Sequence, residues 1–391
     1  MQKSTGDAAL IKKINTAIVL ECVLTHAPLS RAQISEKTGL NKATVSSLVQ
    51  DLIASHLVLE IGMGESSGGR KPVMLLFNSQ AGYAVGIDLG VNYIRGVLTD
   101  LRGEIIQETR VKLPGKSQAE VLPLLYEGIR SLISSAPASP YGVVGIGIGV
   151  PGIVDESGTI LFAPNLEWEL TPLSRLVEEE FNLPVTIDNE ANAGAQGEQK
   201  YGAGRGIAHQ IYVSVGIGIG TGIIINKELY KGASGLSGEL GHLSISLDGK
   251  QCRCGNKGCW ELYASENALL ELAAPIGFSS MEAVLAEAEA GNPEVLKLLG
   301  QTGEYLGVGI ANIVNVFNPD AVIIGNTMSL AGSWIGDAVR QSVARRTLPY
   351  HRSGMQILFA EQQERSAVRG AAYYAISGFF ERVKSGLEGQ D

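Results

Sequence analysis

Two stretches of the sequence repeat the same order of predicted elements, and this duplication constrains the fold more than any other feature. Residues 84–106 and 210–232 each contain a strand, a glycine turn, a strand, a polar turn and a third strand. Further apolar runs predict strands over 143–150, 185–187, 321–325 and 355–360, and helices over 293–316 and 367–383. The pattern predicts an α/β protein with two lobes and a ligand cleft between them.

Residues 235–263 concentrate soft metal ligands that can supply a tetrahedral zinc site. The four candidate ligands are His242, Cys252, Cys254 and Cys259. Structural cysteines beside an unrelated histidine are the alternative, but clustered thiols with a histidine in a reducing compartment are usually metal-bound. We therefore expect a structural zinc ion that holds the flanking carboxylates, Glu239 and Glu261, in fixed positions.

The charge of the 391-residue chain is unevenly distributed. Residues 1–80 contain 8 basic and 6 acidic residues, whereas the remainder contains 23 and 34, so charges of +2 and −11 make up the net −9. This distribution suits a nucleic-acid-binding module attached to an acidic body. No apolar run has membrane-spanning length and the first residues carry no apolar signal core, so we expect a cytoplasmic protein without a membrane partner.

The first 55 residues have the spacing of a helix-turn-helix. A first amphipathic helix is predicted over 8–25, and a second begins after Ser30, which can form a capping box with Gln33. Gly39 supplies the turn before a third helix over about 41–54. The apolar residues at helical spacing are Ile11, Ile14, Ile18 and Cys22 in the first helix, and Val45, Leu48, Val49 and Leu52 in the third.

Extended segments follow the three helices. Leu57, Leu59 and Ile61 recur at every second position and residues 73–77 are apolar, which predicts a hairpin with a basic tip. The module is thus a winged helix-turn-helix, for which a three-helix packing scaffold is the alternative. The side chains expected to contact DNA are Arg31, Asn41, Lys42, Ala43, Thr44, Ser46, Ser47, Arg70 and Lys71.

Residues 238–242 (GELGH) and 252–261 (CRCGNKGCWE) resemble the signature of the ROK family of repressors, open reading frames and sugar kinases, and the resemblance extends over 81 to about 380. It implies an α/β, actin-like, two-lobed sugar-kinase (ROK) fold preceded by the N-terminal winged helix-turn-helix domain. The expected division is residues 1–80 for DNA binding, 81–190 for lobe 1 and 191–369 for lobe 2 with the zinc site. A C-terminal helix over about 370–391 is expected to pack back on lobe 1.

Within the family, residues 66–75 and 259–266 are similar to those of xylose-operon repressors of Gram-positive bacteria. The resemblance implies a sugar-responsive repressor that releases operator DNA when D-xylose binds in the cleft. A repressor that responds to another sugar, and a sugar kinase with a DNA-binding arm, are the alternatives. The residues that the resemblance assigns to sugar binding are Asn165, Asn189, Glu190, Glu239, His242 and Glu261.

Three motifs of the family's kinases are altered in this chain. The first phosphate loop, Asp-x-Gly-Gly-Thr in kinases, is DLGVN at 88–92, and the second, Gly-Thr-Gly-x-Gly-Gly-Gly, is GIGIGTG at 216–222. The kinases' Asn-Asp-Ala-Asn is NEAN at 189–192, so a glutamate stands at the position of the catalytic aspartate. We expect no catalytic residues and no enzyme activity, because a displaced carboxylate costs a large factor in rate.

Two further features bear on ligands and assembly. The motif Gly147-x-Gly149-x-x-Gly152 matches the dinucleotide fingerprint formally, but no helix pattern follows it, so that interpretation is rejected. Because a helix-turn-helix commonly reads one half-site of a pair, we expect a homodimer built through the lobes. Aromatic residues of the last helix are possible contributors to this contact: Tyr373, Tyr374, Phe379 and Phe380.

Overall fold

A computed structural model of the chain describes residues 8–63, 71–352 and 354–385. The N-terminal part consists of three helices and a small antiparallel sheet with the strand order β1-β3-β2. The elements are α1 (Ala8–His26), β1 (Leu29–Ser30), α2 (Arg31–Thr38), α3 (Lys42–Ala54), β2 (Val58–Met63) and β3 (Val73–Phe77). This is the predicted winged helix-turn-helix, in which β2 and β3 form the wing. The wing tip, including Arg70, lies outside the described residues.

Local hydrogen bonds fix the helix-turn-helix. The predicted capping box is confirmed, since the Ser30 backbone N–H donates to the Gln33 side chain at 2.8 Å and the Ser30 hydroxyl accepts from the Gln33 backbone N–H. Gly39 adopts a φ of 72°, which favours glycine and ends α2. The Asn41 side chain caps α3 by accepting from the backbone N–H of Thr44 at 2.8 Å. The predicted core residues of α3 are all buried: Val45, Leu48, Val49 and Leu52.

Lobe 1 is built on a five-stranded sheet with the order β11-β7-β4-β5-β6, and a small sheet with the order β10-β9-β8 lies beside it. Its elements are β4 (Tyr83–Leu89), β5 (Tyr93–Asp100), β6 (Ile105–Lys112), α4 (Gln118–Ser134), β7 (Val143–Val150), β8 (Ile153–Val154), β9 (Ile160–Ala163), β10 (Trp168–Thr171), α5 (Leu173–Phe181) and β11 (Val185–Asn189). The strand β8, rather than the helix that a dinucleotide fingerprint requires, follows the glycine motif of β7.

Lobe 2 repeats the same sheet plan with the order β14-β13-β12-β15-β16. In each lobe the central strand, β4 or β12, is antiparallel to the next strand in sequence and parallel to the strand on its other side. The strands are β12 (Gln210–Val215), β13 (Ile219–Ile225), β14 (Glu228–Leu229), β15 (Ala321–Gly325) and β16 (Gln356–Phe359). The helices after β11 are α6 (Glu190–Tyr201), α7 (Glu261–Ala264), α8 (Glu266–Ala273), α9 (Met281–Glu289), α10 (Pro293–Phe317), α11 (Gly332–Arg346) and α12 (Ser366–Ser385). The predicted duplication is therefore confirmed.

The helix α12 joins the parts of the chain. It packs on β4 and β7 of lobe 1 and on α6, and α6 packs on β12 and β13 of lobe 2. Glycines allow backbone contact along α12: a Cβ on Gly147 would lie 1.8 Å from the carbonyl oxygen of Ala371, and one on Gly370 would lie 1.7 Å from that of Ala193. The close contacts make α12 the common support of both lobes.

The C-terminal part of α12 completes the core of the DNA-binding domain. Phe379 and Phe380 are buried in one apolar cluster with residues of α1, α3 and β3, and the rings of Phe380 and Phe77 are 5.8 Å apart. The expectation that these two aromatic residues contribute to a dimer contact is therefore wrong, because their surface is used within the chain. Sequence periodicity could not distinguish an internal contact from an external one.

The helix predicted for α1 is confirmed, but three of the four residues of its predicted apolar stripe face solvent. Ile11, Ile14 and Ile18 are 52%, 52% and 40% exposed. The residues of α1 that pack on β3 and α12 lie in its C-terminal half: Val19, Leu20, Cys22 and Val23. Leu59 and Ile61 of β2 are also exposed, whereas Leu57 is buried. Within the described ranges no single helix is long and apolar enough to cross a membrane, although the bent pair over 266–276 and 281–289 passes by length and composition.

Candidate functional site

The strand β13 brings the candidate residues of the cleft together. On one side, a Cβ on Gly222 would lie 2.5 Å from the carbonyl oxygen of Ala191, so the N-terminus of α6 rests on the strand. On the other side, a Cβ on Gly241 would lie 2.1 Å from the carbonyl oxygen of Ile219. The segment 238–242 and the start of α6 therefore flank the same strand.

Four potential metal ligands form a compact cluster beside this strand. The ligand atoms of His242, Cys252, Cys254 and Cys259 all lie within 4.8 Å of one another. Cys254 Sγ is 3.7 Å from Cys259 Sγ, and Cys252 Sγ is 3.7 Å from His242 Nδ1. With metal–sulfur bonds of about 2.3 Å, tetrahedral geometry places two sulfur ligands about 3.8 Å apart. The donor set and its spacing thus fit one tetrahedrally coordinated metal ion.

The three thiols of the cluster differ in their exposure to solvent. Cys252 and Cys259 are buried, whereas Cys254 is exposed. Burial is the main reason that the pKa of the Cys252 thiol is raised to about 12, and burial also raises the pKa of the Cys259 thiol. A metal ion bound to thiolates would replace these protons, so metal binding at this cluster is coupled to proton release.

Two carboxylates lie around His242. Glu239 Oε2 is 3.9 Å from His242 Nε2, and Glu261 Oε1 is 3.5 Å from His242 Nδ1. Partial desolvation raises the pKa of Glu239, whose side chain is still 48% exposed, although His242 partly opposes this shift. Glu261 also accepts from the Cys252 thiol at 3.3 Å, and its Oε2 would lie 2.9 Å from a Cβ on Gly218. Glu261 therefore links the metal-ligand cluster to the second glycine turn, and the carboxylates can accept hydrogen bonds from paired hydroxyls of a polyol.

Asn189 and Glu190 occupy the opposite side of β13. The Asn189 side chain caps α6 by accepting from the backbone N–H of Ala191 at 2.8 Å, and it donates to the carbonyl oxygen of Gly152 at 2.9 Å. Glu190 Oε1 accepts from the Ser214 hydroxyl at 2.8 Å and from the Asn326 amide at 3.3 Å. Burial, and then the nearby charge of Asp88, raise the pKa of Glu190 to about 7.

Asn165 has a weaker connection to these residues. It lies half-buried in the turn between β9 and β10. This hairpin packs against Gly152, where a Cβ would lie 2.6 Å from the carbonyl oxygen of Phe162. Asn165 thus belongs to a hairpin next to the turn that Asn189 contacts.

The first glycine turn carries a polar pair of buried Asp88 and half-buried Tyr93. The Tyr93 hydroxyl donates to Asp88 Oδ2 at 2.8 Å, while Asp88 Oδ1 is buried without a hydrogen-bond partner among the described atoms. Burial raises the pKa of Asp88 to about 6, although the Tyr93 hydrogen bond opposes this shift. The turn therefore presents a tyrosine ring and a carboxylate of raised pKa where a phosphate-binding loop requires open backbone N–H groups.

Sequence reasoning missed several polar residues of the cleft. Asn326, which bonds Glu190 and Ser214, directly follows the buried strand β15, and its position after a strand parallel to β12 could have predicted this contact. The sequence around Lys231 contains no comparable pattern that could have predicted its contact. Its Nζ lies 2.6 Å from Asp188 Oδ2, so a residue of lobe 2 pairs with a residue of lobe 1.

The residues predicted to contact DNA lie on the helix-turn-helix surface and beside the wing. Those at the start of α3 are exposed except for half-buried Thr44: Asn41, Lys42, Ala43, Ser46 and Ser47. Arg31 Nη2 lies 2.9 Å from Glu60 Oε1 on β2, so its charge is already partly compensated. Lys71 is exposed at the end of the wing loop.

Comparisons with known proteins match this architecture over nearly the whole chain. The profile described as the ROK family matches residues 84–377. The protein named xylose repressor of Bacillus spizizenii is 44% identical over 380 residues, which cover 97% of this chain and 99% of that protein.

Two solved structures of ROK family proteins are also similar to this chain. A ROK family transcriptional regulator, described as a homologue of the Escherichia coli MLC protein, has 28% identity and a TM-score of 0.81, and the match covers 97% of this chain and 100% of that chain. A ROK family glucokinase from Streptomyces griseus, in complex with glucose and AMPPNP, has 31% identity and a TM-score of 0.70. The glucokinase match covers 76% of this chain and 100% of the glucokinase, so about a quarter of this chain has no counterpart there.

Proposed function

Because this chain belongs to the ROK family, we propose that it is a sugar-responsive transcriptional repressor of xylose-utilisation genes, which releases operator DNA when D-xylose binds in the cleft. The observation that carries the proposal is the presence, in one chain, of a helix-turn-helix and a ROK body that together match a xylose repressor over 97% of the length. The chain would act in the cytoplasm, with residues 1–80, 81–190 and 191–369 as its three functional parts.

In this proposal α3 is the recognition helix. Its exposed N-terminal residues are short and polar around Lys42, which suits contacts to base edges and to phosphates in the major groove. Asn41 retains its amide N–H groups for DNA, because only its oxygen caps the helix. Lys71, and Arg70 in the wing tip, would contact the DNA backbone or the minor groove. Arg31 would do so only by sharing or releasing its contact with Glu60.

The sugar would bind between Asn189 and Glu190 on one side and the cluster of Glu239, His242 and Glu261 on the other. The geometry offers carboxylate acceptors, an amide and an imidazole N–H, which are the groups that bind paired hydroxyls. Asn165 would complete the site from the neighbouring hairpin. The choice of D-xylose rests on the relatives, because these polar groups do not by themselves distinguish a pentose from a hexose.

We assign the metal to zinc, in a structural role. His242, Cys252, Cys254 and Cys259 would hold it, and the thiolate-rich donor set favours zinc over the hard cations magnesium and calcium. When bound, zinc supplies a rigid cross-link across the loop. The cross-link would hold His242 and Glu261 in the geometry required for the sugar, as ligand-orienting contacts do at other metal sites.

An alternative function is a sugar kinase with a DNA-binding arm, which the likeness to the glucokinase favours. Two observations argue against a kinase. The side chains of Tyr93 and Asn326 cover the first and second glycine turns, respectively, and Glu190 is already hydrogen-bonded to Ser214. We therefore propose that the protein is not an enzyme. A homodimer remains part of the proposal because a helix-turn-helix commonly reads one half of a paired site.

The proposal is tested with operator duplexes selected from a random pool by the purified protein. Operator affinity is then measured with and without D-xylose or D-glucose. We expect D-xylose to lower the operator affinity by about 5–150-fold, the usual range of allosteric coupling. D-xylose at a hundredfold its Kd should also stabilise the fold by about 2.7 kcal/mol.

Glu261→Ala should retain operator binding but lose release by the sugar, while Glu271→Ala, on the exposed face of α8, serves as the control. If the folded protein selects no duplex, or if D-xylose tightens the operator complex, the proposed function is wrong.

A further inference from the structure

The ion pair between Lys231 and Asp188 is the contact that motivates a further proposal. Lys231 follows β14 of lobe 2, and Asp188 lies near the end of β11 in lobe 1, directly before Asn189. The two charged groups are 2.6 Å apart, and the Asp188 side chain is 7% exposed whereas that of Lys231 is 49% exposed. A buried carboxylate depends strongly on its partner, because loss of the partner leaves a charge uncompensated.

The segment that carries Lys231 leads directly to the candidate sugar site. Ser237 closes it as a loop, since its backbone N–H donates to the carbonyl oxygen of Lys231 at 3.2 Å and its hydroxyl donates to that of Tyr230 at 2.7 Å. Glu239 follows two residues later, beside His242. A displacement of Glu239 toward a bound ligand would therefore move Lys231 as well.

On the other side, Asp188 meets two helices. Its Oδ1 accepts from the Asn192 amide of α6 at 2.9 Å. The Tyr374 hydroxyl of α12 is buried without a hydrogen-bond partner among the described atoms. The helix α12 packs on β11, the strand that carries Asp188, and burial and then the charge of Asp188 raise the pKa of Tyr374 well above its ordinary value. Asp188 is thus the junction of β11, α6 and α12.

The helix α12 continues from this junction into the DNA-binding domain. Phe379 follows Tyr374 by five residues, or about 7.5 Å along a helix. Its ring is 5.0 Å from that of Tyr141, whose hydroxyl donates to the carbonyl oxygen of Ser55 after α3 at 2.8 Å. A continuous set of packed groups therefore joins the cleft to the end of the recognition helix.

We propose that Lys231 and Asp188 form an interlobe latch that transmits sugar binding through Tyr374 and α12 to the DNA-binding domain. This inference rests on the proposed function and names its regulation. Lys231, Asp188 and Tyr374 are positioning residues: they do not contact DNA. The latch has two discrete arrangements, with Lys231 on Asp188 or withdrawn from it, and the sugar changes their relative populations because it contacts residues on both sides of the pair.

The first test is Lys231→Met, which removes the charge but keeps the apolar part of the side chain. We expect the affinity for D-xylose alone and for the operator alone to stay within threefold of wild type. The ratio of operator affinities without and with saturating D-xylose should fall from about 5–150 to below 3. The control is Lys250→Met, because Lys250 has similar exposure but pairs with Glu271 within lobe 2. A ratio that stays above about 3 in folded Lys231→Met overturns the latch.

The second test is Tyr374→Phe, which keeps the ring in α12 and removes only the hydroxyl. It should also lower the ratio, and the double variant with Lys231→Met should lower it no further than the stronger single variant, because both act on one junction. Additive effects in the double variant, or a wild-type ratio of operator affinities in Tyr374→Phe, would contradict transmission through α12. If wild-type protein itself shows no release by D-xylose, the proposed function fails; if it does and both variants respond fully, only the latch fails.

Discussion

The ring of Tyr93 lies directly against Gly90, so closely that a Cβ on this glycine would be 2.4 Å from the ring. The hydrogen bond from the Tyr93 hydroxyl to Asp88 holds the ring across the first glycine turn. At the second turn, a Cβ on Gly216 would be 2.9 Å from the amide nitrogen of Asn326. Side chains therefore cover both turns at the places where a kinase needs bare backbone to approach phosphate groups.

The first prediction is that transfer of phosphate from ATP to D-xylose or D-glucose is negligible. The reason is the combination of the covered turns with the substituted residues Val91, Ile217 and Glu190. A coupled assay of ADP release across a panel of aldoses measures this, with an active hexokinase as the positive control. A turnover number above about one per second, within the range of ordinary enzymes, would contradict the prediction.

The second prediction concerns the metal. Protein purified without chelator should contain one zinc ion per chain, and Cys254→Ser should lose it, because it removes one of four ligands at an exposed corner of the cluster. The variant should also respond less to sugar, although Cys254 is not among the proposed sugar contacts. Elemental analysis and operator release by D-xylose measure the two effects. The matched control is Cys22→Ala, since Cys22 lies in the DNA-binding domain; equal zinc content in both variants would refute the assignment.

The third prediction is a pH dependence of stability that originates at Glu190. Burial raises its pKa in the folded protein to about 7 from an ordinary 4.5, so the folded state holds the proton more tightly than the unfolded state. The stabilisation is complete below pH 4.5 and is lost as the pH rises to about 7. Glu190→Gln cannot ionise, so it should exceed wild type in stability by about 1–3 kcal/mol at pH 8 and lose this advantage near pH 4.5.

Urea unfolding of sugar-free protein at several pH values measures this difference. Glu127→Gln, on the exposed face of α4, provides the control and should follow wild type throughout. A constant difference between Glu190→Gln and wild type from pH 4.5 to 8 would show that Glu190 does not control the dependence.

The fourth prediction separates DNA binding from sugar binding. Lys42→Ala should weaken binding to all duplexes to a similar degree and lower the dependence of log affinity on log salt concentration by about one, as expected for the loss of one phosphate contact. The affinity for D-xylose should not change, because Lys42 lies in the DNA-binding domain. Titrations at several salt concentrations measure the slope, with Lys297→Ala on α10 as the control. An unchanged slope would show that Lys42 does not contact a DNA phosphate.

Much of the fold could be predicted from the sequence because its signals are local. Gly39 and the capping box of Ser30 define the helix-turn-helix, and the repeated strand patterns define the two sheets. The spacing of the four metal ligands was equally informative, since they lie within one loop. In each case, the residues that make the contact are close in the chain or follow a regular period.

The remainder depends on contacts between distant segments. The stripe of Ile11, Ile14 and Ile18 has helical spacing, but the spacing cannot tell which face of α1 meets the body. The burial of Phe379 against the DNA-binding domain required the position of α12 relative to α1 and β3. Lys231 and Asp188 are separated by 43 positions, Lys231 following β14 of lobe 2 and Asp188 lying on β11 of lobe 1, so no local pattern joins them.

The shared core of the two ends of the chain has a consequence for synthesis. During translation, α1 to α3 and the wing leave the ribosome first, but the residues of α12 that complete their core, including Phe379 and Phe380, are added only much later. Polypeptides terminated early would thus expose the apolar surface that these rings cover and would lack a finished DNA-binding domain. The core of the DNA-binding domain is therefore complete only in a chain that also contains the whole body.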